Sequence, residues 1–147
     1  MKKIILFLCI LSFFSLGFSQ KIDESPSIKE EILQFLKNHA DAWNNGNINA
    51  YLEFYWKSDL LSFQSGNKRL YGWKKLLDRY KKSYFKDGQI PPKLTYGDLD
   101  IRIISEDYVY VLGRWKVFQN DSISEGVYTI ILRRMPEGWK IIHDHSS

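Results

Sequence analysis

Apolar residues recur every three to four positions from Ile28 onward, at Ile28, Ile32, Phe35, Leu36, Ala40 and Trp43. That spacing predicts an amphipathic helix. Ser27 stands in front of it and Glu30 follows three residues on, a capping-box arrangement in which each residue bonds the other's backbone N–H. Asn44-Asn45-Gly46 is the stop signal. Asn47 is predicted to cap a second helix with Ile48, Tyr51, Leu52 and Tyr55 on one face. A short strand is expected over residues 60–64, a turn at Ser65-Gly66-Asn67-Lys68, and a third helix over residues 72–84 with Trp73, Leu76, Leu77 and Tyr80 on one side.

After a break at residues 88–92 the helical period gives way to runs of about a dozen residues. Strands are expected over residues 94–104, 108–118, 124–135 and 139–145. Ser105-Glu106-Asp107, Asn120-Asp121-Ser122 and Pro136-Glu137-Gly138 separate them, which predicts an antiparallel meander. Helices first and strands afterwards give an α+β fold. In the second of these strands Val109, Val111, Gly113, Trp115 and Val117 share one side. Tyr108, Tyr110, Leu112 and Phe118 share the other with Arg114 and Lys116. Both sides carry large apolar groups, so both faces of the sheet are expected to be covered, one by the helices and the other by a second subunit.

The first 19 residues read differently. Lys2 and Lys3 precede an apolar run, and Gly17-Phe18-Ser19 supplies small residues before Gln20. This is the layout of a secretory signal peptide cut after Ser19, and the run is short of the ~20 residues that span a bilayer. Secretion or a periplasmic location follows, with residues 20–147 as one mature domain. Cys9 lies inside the leader, so the mature domain has no disulfide, cysteine nucleophile or thiolate metal site. It keeps 19 basic and 17 acidic side chains, a net charge of +2. That balance, with one basic-aromatic stretch at residues 79–86 that reads as a solvated helix face, gives no reason to expect nucleic acid as a partner. No phosphate loop, serine elbow or paired carboxylates are present, and no cofactor is expected.

Ala42-Trp43-Asn44-Asn45-Gly46, Phe54-Tyr55, Tyr71-Gly72-Trp73 and the closing strand from Gly138 to Ser146 together resemble a nuclear transport factor 2-like domain. Within that superfamily the chain is similar to the SnoaL-like group and to the association domain of calcium/calmodulin-dependent kinase II. The resemblance implies a cone with a cavity between helices and curved sheet, and a homodimer through the sheet's outer face. It fits hosts of many functions, from isomerases and dehydratases to pure association modules. Ketosteroid isomerases carry a tyrosine donor where this chain has His39, a carboxylate base where it has Phe63, and a second donor near Ile130. A phenylalanine takes no proton, so that mechanism does not transfer. The kinase association domain implies cavity arginines at Arg114, Tyr128 and Ser146, of which only Arg114 is one.

Chemistry-bearing residues are few. Strict alternation puts His143 and His145 on the side of Trp139 and Ile141, with Asp144 opposite beside Ile142 and Ser146. Two histidines lack the third ligand of a zinc site, so no metal is expected and the pair is read as packing or bonding between strands. The resemblance implies that the Asp144 side faces the cavity, where Arg114 and Asp144 could pair. Trp43, Tyr55, Phe63, Trp73, Trp115 and Tyr128 are either core or the walls of a pocket for a flat ligand. The expected protein binds a small, partly apolar molecule through His39, Arg114 and Asp144, walled by Trp43, Tyr55, Phe63 and Tyr128. An isomerase, dehydratase or cyclase using His39 or Asp144 for proton transfer, and an oligomerisation module with a filled core, stand as alternatives.

Overall fold

The computed structural model describes residues 26–85, 91–119 and 121–147. The proposed leader and its cut after Ser19 lie outside them. Helix α1 (Ile28–Asn44) is followed by a short α2 (Ile48–Leu52), strands β1 (Ser62–Ser65) and β2 (Lys68–Tyr71), and α3 (Trp73–Tyr84). Four long strands complete the chain: β3 (Lys93–Ser105), β4 (Tyr108–Gln119), β5 (Ser122–Met135) and β6 (Gly138–Ser146). They form one curved, unclosed sheet of order β2-β1-β6-β5-β4-β3. The α+β architecture and the meander agree with the sequence pattern. The expected single strand before α3 is instead a hairpin around Gly66, and β1 runs parallel to β6.

Both predicted N-caps form. Ser27 Oγ accepts from Glu30 N at 3.3 Å while Ser27 N donates to Glu30 Oε2 at 2.8 Å. Asn47 Oδ1 accepts from Ala50 N at 2.9 Å. Helix α2 is shorter than its apolar period suggested. Beyond Leu52 the backbone finds partners on β6: Ile141 N donates to Phe54 O and Trp56 N to Ile141 O, both at 2.9 Å. Tyr55 is therefore held against β6 and not on a helix.

Helix α1 is tied to the sheet at both ends. Near its start Glu31 Oε2 accepts from Trp139 Nε1 and from Arg134, each at 2.7 Å. At its end Asn44 clasps the backbone of Leu94, donating to its O at 2.9 Å and accepting from its N at 2.7 Å. Trp43 Nε1 donates to Pro92 O at 2.7 Å. These bonds set the helix over β3, with Ile32, Phe35, Leu36, His39 and Trp43 on its buried face.

Three irregularities interrupt the ladders: one is at the end of β3 between Ile103 and Ser105, and the other two lie within the long strands. One lies on β3 between Gly97 and Asp100, where Asp98 takes a φ of 50°. The other lies on β6. Leu132 pairs with Ile141 and Ile131 with His143, so Ile142 is an extra residue with no partner across the ladder. One inserted residue reverses the alternation beyond it. Trp139, Ile141, Asp144 and Ser146 all face the helices as a result, while His143 and His145 face outward. Strict alternation had placed the histidines with Trp139 and Ile141; the bulge overturns that.

Two cross-strand pairs hollow the inner face. Gly113 lies opposite Tyr128, and Gly126 opposite Trp115. Each glycine leaves space that an aromatic ring covers. A Cβ on Gly113 would lie 2.7 Å from three atoms of the Tyr128 side chain. Gly113→Ala is therefore expected to lower stability by about 1–3 kcal/mol through overpacking, read from urea unfolding. An unchanged midpoint would mean that Tyr128 moves aside without cost.

Candidate functional site

Between the helices and the inner face lies a cavity of about 740 Å³. This is within the usual size range of small-molecule sites, roughly 300–1,000 Å³. Trp43 and Tyr51 from the helices, and Phe63 and Ile130 from the sheet, make much of its apolar wall. The Tyr128 ring takes the space beside Gly113, and the Ser147 backbone and the Trp115 ring take the space beside Gly126.

Asp144 is the only carboxylate lining the cavity among the described residues, and it is 8% exposed. Its neighbours in register are Phe63 on β1 and Ile130 on β5, so apolar side chains flank it on both sides. One hydrogen bond holds it: Tyr55 Oη donates to Oδ2 at 2.7 Å. Burial disfavours the carboxylate and pushes its pKa up from 3.8 to about 6, while the Tyr55 bond opposes that rise. Tyr51 Oη lies 3.5 Å from Tyr55 Oη, extending the polar line toward α1.

His39 closes the opposite wall. It is 2% exposed, and its ring stacks on Tyr51 with centroids 4.1 Å apart. Its Nδ1 meets Tyr96 Oη at 3.1 Å. Burial drives its pKa down to about 3, so the ring is neutral at ordinary pH. Burial also raises the pKa values of Tyr51, Tyr55, Tyr80, Tyr96 and Tyr128, which keeps them as neutral phenols.

Three buried polar atoms of residues lining the cavity have no hydrogen-bond partner among the described residues: His39 Nε2, Trp115 Nε1 and Tyr128 Oη. An indole N–H can only donate. A buried donor left without any partner costs about 1–3 kcal/mol, so a bound molecule or water that accepts from it is favoured.

Of the residues singled out from the sequence, His39, Trp43, Phe63, Tyr128 and Asp144 line the cavity together. Tyr55 lies behind it and supports Asp144. Arg114 does not join them. Its strand partners are Gly97 and Val127, it projects from the outer face, and its Nε lies 3.4 Å from Asp98. It cannot pair with Asp144, because adjacent residues on a strand point to opposite sides and position 113 is the inward one. Trp73 is also outside the cavity, donating from Nε1 to Leu52 O at 2.9 Å. Tyr80, Tyr96 and Arg79 line it without having been singled out for it. The strand-interior glycines opposite Trp115 and Tyr128 were the legible sign of a hollow.

His143 and His145 bond to β1 on the outer face, with His143 Nδ1 2.7 Å from Ser62 Oγ and His145 Nε2 3.4 Å from Gln64 Nε2. No cluster of three or more His, Cys, Asp or Glu suited to a metal ion occurs among the described residues.

The SnoaL-like domain profile matches residues 32–147, and the chain belongs to that family. It is similar to a nuclear transport factor 2-like protein of unknown function from Shewanella oneidensis, with 32% identity and a TM-score of 0.75, over 81% of this chain and 98% of that one. A candidate ketosteroid isomerase from Parabacteroides distasonis shares the fold at 18% identity and a TM-score of 0.66, over 87% and 91% of the two chains. So does a candidate calcium/calmodulin-dependent kinase II association domain from Xanthomonas campestris, at 14% identity and 0.65, over 83% and 88%. No curated protein matches the chain.

The raised pKa of Asp144 has a consequence for stability. An acid whose folded pKa exceeds its unfolded value favours the folded state when protonated. Stability is therefore lost as pH rises from about 4 through about 6. Asp144→Asn keeps an acceptor for Tyr55 and removes that loss. It is expected to exceed the parent protein in stability by up to about 3 kcal/mol at pH 8, with the gap closing below pH 4, in urea unfolding series. The His39 contribution has the opposite sign, lost as pH falls, but it is common to both proteins and cancels.

Proposed function

We propose that this protein is an exported small-molecule-binding domain. The observation that carries this is the set of three buried atoms without a partner among the described residues, His39 Nε2, Trp115 Nε1 and Tyr128 Oη, at one cavity of about 740 Å³. A core without a ligand gains nothing by leaving such groups unpaired. A flat, partly apolar molecule with acceptor oxygens would satisfy Trp115 and Tyr128 while its rings pack on Trp43, Phe63 and Tyr51. The charged leader at residues 1–19 supports export, with the mature protein beginning at Gln20. Exposed Leu112 and Val127 on the outer face support a homodimer.

Native mass spectrometry of the protein purified from its own cell envelope or medium tests all three points. The expected species is a dimer of residues 20–147 carrying a mass that is lost on denaturation. Trp115→Phe keeps the ring and removes the N–H, and it is expected to weaken that ligand about tenfold. A bare oligomer that takes up nothing would favour an association module.

A second reading has its own support. Asp144 sits between Phe63 and Ile130, the two positions where ketosteroid isomerases place their base and second donor. A carboxylate with a pKa near 6 is suited to taking a proton from carbon next to a carbonyl, and the free donors could stabilise the oxyanion that forms. Deuterium exchange into an enolisable ligand should then rise with pH through about 6 and disappear in Asp144→Asn. Exchange that persists in that variant would sink this role.

A further inference from the structure

Arg79 lines the cavity and, like Arg133, has no carboxylate partner among the described residues. It projects from α3 into the cavity wall, half-buried, with its guanidinium 5.5 Å from the ring centroid of Phe63. Arg102, Arg114 and Arg134 each reach a carboxylate, and Arg69 bonds Gln64 through two nitrogens. Among the described residues Arg79 makes neither an ion pair nor a side-chain hydrogen bond, and none of its five N–H donors is spent on them. Lys93 adds a second cation to the cavity lining, where it is exposed. The only acid lining it among the described residues, Asp144, is buried.

Lys93, Gln119 and Ser124 lie on the exposed part of the cavity lining and Asp144 on the buried part. Phe63 links Arg79 to the interior: its backbone pairs with Asp144 and its ring lies under the guanidinium. A guanidinium held over a ring presents a planar fork that fits a carboxylate through two parallel hydrogen bonds.

Building on the ligand-binding reading above, we propose that the ligand is a ring-bearing organic acid whose carboxylate is gripped by Arg79 while its ring packs on the aromatic wall. A neutral ligand would leave the Arg79 guanidinium partly desolvated with no counter-charge.

Titration calorimetry with para-hydroxycinnamate and its methyl ester separates the possibilities. The acid should bind at least about tenfold tighter than the ester. Arg79→Gln should reduce the acid to the ester's affinity and leave the ester unchanged. Lys75→Gln, an exposed residue on the same helix that does not line the cavity, should change neither. Equal binding of acid and ester, or a preference for the acid that survives Arg79→Gln, would overturn the assignment of Arg79 while leaving the ligand-binding reading in place. Binding of neither compound would count against both.

Discussion

One residue of extra chain in β6 sets the character of the site. Without the bulge at Ile142, the inward phase of Trp139 and Ile141 would continue through His143 and His145, and Asp144 would face the outer side. With it, the strand packs two large apolar side chains against the helices and then turns a carboxylate into the same interior. Because β6 is bonded to β1 on one side and β5 on the other, the new phase is locked by both neighbours. The backbone bonds from Ile141 to the Phe54–Trp56 segment hold the strand just before the bulge and bring Tyr55 to Asp144.

The rest of the interior is arranged so that the space over Asp144 stays open. Helix α1 is tied down through Glu31 at one end and Asn44 at the other, so it cannot collapse onto the sheet. The Tyr128 and Trp115 rings take space beside Gly113 and Gly126. The result contains several features that oppose stability: a carboxylate in apolar surroundings, a histidine kept neutral by burial, and three polar atoms without partners among the described residues. Proteins depart from local rules in this way mainly at sites of function. The departures here cluster at one cavity, while the outer face carries ordinary surface pairs such as Arg102–Asp100 and Lys116–Glu125.

The candidate site was legible where a side chain's direction follows from an unbroken period. Trp43 was assigned to the interior from the apolar period of its helix, and His39 from a family correspondence together with its four-residue spacing to Trp43. Tyr128 and Phe63, expected as walls, both line the cavity. Arg114 was misplaced because a family correspondence was followed in preference to the strand's own alternation, which puts Val111 and Gly113 inward and Arg114 outward. Arg79 was read as part of a solvated basic face, since nothing in the period of α3 shows how far a long side chain reaches over Phe63.

By itself the sequence determined the three helices, the caps at Ser27 and Asn47, the four-strand meander and the α+β class. Each of these depends on interactions between residues close along the chain. Tertiary structure alone decided that β1 lies parallel to β6, that α2 stops at Leu52, that Ile142 bulges, and that Tyr55 reaches Asp144. Each of those depends on competition for backbone partners between segments up to 89 residues apart, as for Tyr55 and Asp144. A local period carries no record of that competition, because the partner that wins is chosen only when the segments meet.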